Sequence, residues 1–437
     1  MRSTILLLCG LFFSVSVLAQ APDLIGYWQN WNSVNAPYIP LSDIDSRYTI
    51  IDVAFALPAA GTTYDMYFTP DATDPGTFMD EVQVLQGDGK KVLISVAGAT
   101  GQVVLQNLSE KDIFVNSMLD ILLTYEFDGM DIDLEGPSVT ISGGTIQNPV
   151  DQKIILLIQA IQEIMEGYQQ MMGKRMLLTF APETAFVQGG QSAYNGVWGA
   201  YLPILDALRD SIEILHVQLY NSGSMYGIDG GIYYQSTADF IVSQTEALLQ
   251  GFDTDGGFFG PMEPRQIAVG LPACQNAAGG GYTDPDIVES AIQYLLNGLQ
   301  QPGTYSSFDS YPQLRGMMTW SINWDALSSC SGSYTYAQNY QDIFGNVVDL
   351  ATISESTPLF TLFPNPLPQG TLLHFDADSR LSSIRIYDQL GRIRWNYDYE
   401  ELGDLIREIE LPLEKGFFVV VGNSTNGQVF SSKLIVE

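Results

Sequence analysis

Asp128-Gly129-Met130-Asp131-Ile132-Asp133-Leu134-Glu135 sets four acids among Gly, Met, Ile and Leu. Read as a strand, the stretch obeys period two. Asp131, Asp133 and Glu135 then share one face, and Met130, Ile132 and Leu134 the other. Neighbouring acids on that face lie roughly 6–7 Å apart at strand rise. In a confined interior such carboxyls do not all ionise freely, so one is expected to hold a proton near neutral pH. A protonated acid beside an ionised one is the chemistry that cleaves glycosidic bonds. A calcium loop also alternates acids, but its spacers are polar and let the chain curl around the ion. Apolar spacers preceded by Tyr125-Glu126-Phe127 favour a strand.

Such a strand needs a frame. Short apolar runs recur at 24–28, 49–56, 91–98, 128–135, 175–182, 214–220, 266–272 and 316–322. Strands this apolar are buried on both faces, as in a parallel sheet. Helix-compatible stretches fall between them at 109–125, 151–170, 238–249 and 286–299, with a closing helix at 336–344. The alternation predicts an α/β (β/α)8 TIM barrel over 20–347. A doubly wound open sheet is the alternative, but no Gly-rich phosphate turn follows the first strand. Barrel chemistry belongs at the carboxyl ends of strands. Trp28, Gly98, Glu135, Glu183, Tyr220, Asn221 and Trp320 all fall there. Residues 348–359 read as a linker, and 360–437 change rhythm to short strands and turns, a small C-terminal β-sandwich.

The chain has 437 residues and a formal net charge of −32, with Lys+Arg 18 against Asp+Glu 50. That argues against nucleic acid and anionic membranes as partners, because both call for basic patches. Residues 1–19 read as a signal peptide: Arg2, an apolar run from Ile5 to Leu18, and a small-residue cleavage site at Val17-Leu18-Ala19. No later stretch reads as a membrane span, and a secreted monomer is expected. Cleavage removes Cys9 and leaves Cys274 and Cys330, which either pair or remain free thiols. His216 and His374 lack zinc spacing and there is no P-loop, so neither metal nor cofactor is expected.

The acidic octet resembles the D-G-x-D-x-D-x-E signature of family 18 glycoside hydrolases, the chitinase family. The resemblance implies that Glu135 is the general acid. It implies that Asp133 turns toward Glu135 and orients the substrate's N-acetyl group, while Asp131 shares a proton with Asp133. Asp128, out of phase, is expected to be structural. Gln218-Leu219-Tyr220-Asn221 is similar to the family's Q-x-Y-N motif. Tyr220 is then a hydroxyl donor to the acetamido oxygen, and Gln218 and Asn221 are sugar-binding amides. Trp320 becomes the floor under the reacting sugar, Tyr27 and Phe55 line that subsite, and Glu183 binds substrate hydroxyls. Trp28, Trp31 and Trp198 either extend the groove or pack loops. The third-strand motif departs from S-x-G-G, reading Ser95-Val96-Ala97-Gly98, a change that removes no reacting group. Only about forty residues separate strands seven and eight, too few for the small α+β insertion of some members. The expectation is an open groove and endo-type attack.

The tail resembles the C-terminal sorting domain of the type IX secretion system. Leu362-Phe363-Pro364-Asn365-Pro366, Ile386-Tyr387-Asp388 with Leu390-Gly391-Arg392, Gly416-Phe417-Phe418-Val419 and Lys433-Leu434-Ile435-Val436 carry that likeness. It implies the secretion machinery as a partner. The rival reading is a carbohydrate-binding module with Trp395, Tyr397 and Tyr399 as its platform. For the main domain the leading expectation is a retaining, substrate-assisted chitinase acting on chitin or chitooligosaccharides. The alternatives are an endo-β-N-acetylglucosaminidase on N-glycans and a non-catalytic chitin-binding lectin.

Overall fold

The computed structural model describes residues 21–330, 332–345, 360–377, 381–388, 393–398, 408–410, 415–424 and 429–436. The expected signal peptide and linker lie outside the described residues, as do Leu390, Gly391, Arg392 and Tyr399.

Eight parallel strands form the frame: β1 (Asp23–Gln29), β2 (Ile50–Pro58), β3 (Lys91–Gly98), β4 (Gly129–Leu134), β5 (Leu177–Phe180), β6 (Ile214–Leu215), β7 (Ala268–Pro272) and β8 (Gly316–Trp320). Their hydrogen-bonded order is β7-β8-β1-β2-β3-β4-β5-β6. Parallel bridges Leu215–Ile267 and Gln218–Gly270 join β6 to β7 and nearly close the barrel. Period two decides what faces where. Ile25, Tyr27, Ile50, Ala54, Leu93, Ala181, Ile214, Ala268 and Met318 fill the interior. Their alternates, among them Leu24, Trp28, Val53, Ile94, Met130 and Ile132, pack outward with the helical layer.

The longer helices are α1 (Pro75–Gly87), α2 (Leu108–Thr124), α3 (Gln152–Met172), α4 (Leu202–Leu208), α5 (Ala238–Gln250), α6 (Pro285–Asn297) and α7 (Thr335–Phe344), and a single helical turn, Ile322–Asp325, follows β8. Their ends follow local chemistry. Asp74 accepts the Gly76 and Thr77 N–H groups, Asn107 that of Glu110, and Thr237 that of Phe240. Gly173 and Gly298, at φ 69 and 70, end α3 and α6. Helices α1 and α4 are absent from the stretches singled out above. So are the hairpins Ser224–Tyr226/Ile232–Tyr234 and Phe252–Thr254/Gly257–Phe259.

Between β7 and β8 the only regular element is α6, so the α+β insertion is absent as expected. The coil after α6 is anchored on α5. Glu246 accepts from Tyr305, Ser307 and Tyr311 hydroxyls and from the Phe308 N–H. Cys274, just past β7, is disulfide-bonded to Cys330, which settles the pairing left open above. At the opposite rim, Asp128 accepts from Lys174 Nζ at 3.0 Å and from the Val92 N–H at 3.2 Å, the structural role expected of it.

The tail consists of two antiparallel sheets. One contains β9 (Phe360–Phe363), β10 (Leu372–Ala377) and β13 (Glu408–Glu410). The other orders β12 (Ile393–Asp398), β11 (Leu381–Tyr387), β14 (Gly416–Ser424) and β15 (Val429–Val436). Among its described residues, Leu367, Leu373, Ile384, Ile386, Phe418, Val420, Val421, Leu434 and Val436 are the buried apolar ones.

Candidate active site

Strand β4 carries the acids up the barrel axis. Its first residue has no room for a side chain: a Cβ on Gly129 would lie 2.0 Å from the Leu177 carbonyl oxygen of β5. Two residues on, Asp131 is fully buried. Its Oδ2 accepts from Tyr27 Oη at 2.6 Å and Ser95 Oγ at 2.7 Å, and its Oδ1 from Thr179 Oγ1 at 2.8 Å. Three other strands, β1, β3 and β5, thus each supply a hydroxyl to one carboxyl. Among the described residues no hydrogen bond joins Asp131 to Asp133, so the expected shared proton is not seen here.

Asp133 is buried one layer higher and accepts from Gln218 Nε2 at 2.9 Å. Burial, then the charges of Glu135 and Asp131, push its carboxyl well above the ordinary range. Glu135 lies just past β4, half-buried, at the mouth. Burial first, and Glu183 second, raise it to about 7, while contact with Gln218 works the other way. An acid at the rim that keeps its proton near neutrality can donate it to a leaving group. Tyr220 is buried, and desolvation followed by the charges of Asp133 and Glu135 holds its phenol protonated.

Aromatic rings floor the opening. Phe55 and Trp320 stack at 5.8 Å and 11°, Trp31 lies over Phe55 at 6.3 Å, and Tyr27 meets Trp320 at 5.5 Å. The cleft above them holds about 560 Å³, and Asp133, Glu135, Gln218, Tyr220 and Asn221 line it with those rings. Flat rings facing polar groups suit a sugar, whose faces are apolar and whose edges are polar.

Asp133, Glu135, Tyr220, Phe55, Gln218, Asn221 and Trp320 therefore meet in one cleft, with Tyr27 and Asp131 directly beneath. Their contacts add detail to several of these assignments. Gln218 spends both amide protons on Asp133 and on the Ala181 carbonyl, so it orients an acid and keeps only Oε1 for a ligand. Asn221 Oδ1 takes the Gly280 N–H and ties down a loop. Glu183 does not line the cleft; its charge acts on Glu135. Of the three open tryptophans only Trp31 reaches the cleft. Trp28 alternates with Tyr27 and so faces outward, bonded to the Ile39 carbonyl and stacked on Phe78. Trp198 crowds Gly189, away from the cleft. The Ala97 methyl belongs to the outer core, with φ 76, so it does not narrow the active centre.

Sequence reading missed Asn30, whose amide clamps Ala54 and Asp71 at the cleft edge, and the hydroxyl of Thr179 on Asp131. It also missed Asp52 and His216. Asp52, Asp131 and His216 each offer one atom to a group within 4.8 Å, all buried. His216 Nε2 lies 3.5 Å from Asp131 Oδ1 and 3.7 Å from Asp52 Oδ2. Spacing along the chain gives no hint of this group, because β2, β4 and the residue just past β6 supply it.

Comparison with known proteins places the chain in a family. Residues 23–345 match the family described as Glycosyl hydrolases family 18. Chitinase Chi52 of Paenibacillus xylanexedens is 44% identical over 313 residues, covering 70% of this chain and 59% of that protein. Chitinase D of Niallia circulans is 44% identical over 314 residues, again 70% and 59%. The chain thus spans 59% of the length of these two relatives. A crystal structure of a family GH18 chitinase from Chromobacterium violaceum superposes with a TM-score of 0.66 at 35% identity, covering 74% of this chain and 84% of that one. A match running from the first barrel strand to the closing helix, the acidic strand included, means that the chain belongs to glycosyl hydrolases family 18.

Proposed function

We propose that the chain is a chitinase that cleaves β-1,4 bonds between N-acetylglucosamine units with retention. One arrangement carries this reading: Glu135 stands at the rim of an aromatic-floored cleft above a buried Asp133, where burial and then the charge of Glu183 raise its carboxyl to about 7. Glu135 gives that proton to the glycosidic oxygen as the bond to the anomeric carbon breaks. The substrate's own acetamido oxygen bonds to that carbon, giving an oxazolinium ion. Water then opens the ring, returning a proton to Glu135. No second carboxylate is needed across the sugar in such substrate-assisted cleavage. Tyr220 supplies a neutral hydroxyl toward the acetamido oxygen. Asp133, oriented by Gln218, faces the acetamido nitrogen. The names of the similar chitinases support the substrate, and the lack of an insertion between β7 and β8 supports endo attack along an open groove.

The test sets chitin oligomers and a high-mannose glycopeptide side by side, with wild type and Glu135→Gln. Cleaved oligomers with retained anomeric configuration are expected, with kcat lower by roughly 10² to 10⁴ in the variant and binding preserved. Release of the N-glycan alone identifies an endo-β-N-acetylglucosaminidase. Binding without turnover identifies a lectin, and near-normal turnover of Glu135→Gln removes Glu135 from its role.

We further propose export through the N-terminal signal and delivery to the medium or cell surface by the tail acting as a type IX sorting domain. Its motif-like segments and antiparallel build support that reading. Deleting residues 360–437 is expected to leave barrel activity intact and strand the protein in the cell envelope; an equal secreted yield without the tail refutes it.

A further inference from the structure

Beneath the reacting acids lies a pair that the mechanism above does not use. Eight buried side-chain polar atoms lack a hydrogen-bond partner among the described residues, and four of them belong to Asp52 and His216. Native interiors leave few such atoms, so four on two touching residues call for a reason. Both side chains are fully buried, and Asp131 completes the group. Nε2 faces two carboxyl oxygens, at 3.5 and 3.7 Å, each longer than a hydrogen bond. A small movement lets either oxygen close on the nitrogen, and only one can do so at a time.

We propose that Asp52, His216 and Asp131 share one proton through His216 Nε2, so that the negative charge of the barrel interior moves between Asp131, directly below Asp133, and Asp52, below that. The transfer balances internally. The Oδ2–H bond of Asp52 breaks as Nε2–H forms, leaving a carboxylate and an imidazolium. Nε2–H then breaks as O–H forms on Asp131 Oδ1. Net charge is unchanged and no solvent proton is required. The setting of Asp131 permits both states. Its three partners are hydroxyls, which can turn from donating to accepting when the carboxyl gains a proton.

The surroundings frame the exchange. Asp52 approaches from β2, Asp131 from β4, and the Tyr27 ring from β1, edge-on at 6.2 Å. At the far rim the charge of Arg315 is taken up by Asp23 and Glu213. Burial first, and the charge of Asp131 second, raise Asp52, which favours the proton on its carboxyl; burial lowers His216 while the charge of Asp131 pulls it back up. Charge on Asp131 favours a protonated Asp133; charge withdrawn to Asp52 frees Asp133 to ionise beneath a cationic intermediate. Asp52 and His216 are positioning residues in this account, and its kinetic arm rests on the chitinase reading.

The chain has only two histidines, so ¹⁵N-histidine labelling of the full-length protein gives two rings, told apart by His374→Gln. The expected Nε2 signal of His216 lies between the bare and protonated limits and moves in Asp52→Asn. A nitrogen at either limit that ignores Asp52→Asn overturns the proposal, as does a stoichiometric metal ion in the purified protein. On chitin oligomers, Asp52→Asn and His216→Gln are each expected to lower kcat about tenfold, to leave KM within about twofold and to shift the pH profile. The double variant is expected to lose no more than either single one; multiplying losses overturn the shared proton. If the variants do not fold, the wild-type ring signal still decides. If the protein does not cleave chitin, the functional reading falls while the ring measurement stands.

Discussion

Gln218 Nε2 donates to Asp133 Oδ1 at 2.9 Å, although 85 residues separate the two along the chain. The same amide nitrogen is pinned by the Ala181 carbonyl at 2.8 Å, so the donor cannot swing with the acid it serves. Gln218→Met keeps the length and removes both donors. The expected result is a kcat loss of about 10- to 100-fold on chitin oligomers with KM little changed, because the acid remains but its aim is lost. Equal losses in kcat and in substrate affinity would instead make Gln218 a sugar-binding group.

Glu183 raises Glu135 by its charge, so Glu183→Gln is expected to lower the pH at which Glu135 loses its proton. Glu135 must be protonated to act as an acid, so activity falls as pH rises through about 7 in the wild type. In the variant that limb moves to lower pH. Stability has the same sign. A carboxyl raised from 4.5 to about 7 binds more protons folded than unfolded across that window, so stability declines as pH rises through it. The decline should be shallower in Glu183→Gln, as thermal unfolding at several pH values will show.

Gly98 has φ +59, and a Cβ there would lie 2.6 Å from the Phe55 ring. Gly98→Ala is expected to cost roughly 1–2 kcal/mol for the left-handed backbone alone. It should also push Phe55 off Trp320 and raise KM several-fold. Ala97, at φ 76, sits on the outer side of the same strand end. Ala97→Gly should therefore keep activity and cost no stability, since relief of the backbone offsets the added freedom of the unfolded chain. Denaturant midpoints and oligomer kinetics on the two variants test this contrast.

The Cys274–Cys330 bond closes a separation of 56 residues and lies near Ala277 and Ala278 of the cleft wall. Loop-closure entropy for that length amounts to about 4 kcal/mol. Replacing both cysteines by Ser is expected to lower unfolding stability by about 2–4 kcal/mol, read from denaturant midpoints, with KM rising more than kcat falls.

Much of the fold was open to a reader of the chain because burial writes itself locally. Strands covered on both faces must be apolar throughout; β3 occurs at the expected residues, and β1, β2, β7 and β8 within one or two positions at most ends. Strand β6 is shorter than its apolar run, since beyond Leu215 it holds its neighbours by isolated bridges. Helix α1 hid behind Pro75 and Gly76, residues that look like a turn until Asp74 is recognised as a cap with Pro at the first helical position.

By itself, the order of residues determined the barrel, the inward row of acids on β4 and the rings at the strand ends, because period two and apolar runs are properties of neighbouring positions. Which groups touch was decided only by closing the barrel. Trp28 and Tyr27 are adjacent in sequence yet face opposite sides of one strand. Tyr27, Ser95 and Thr179 converge on Asp131, and Asp52 meets His216, through strands far apart in the chain. Hydrogen bonds and charge act over a few ångströms of space, and a linear pattern does not record that distance.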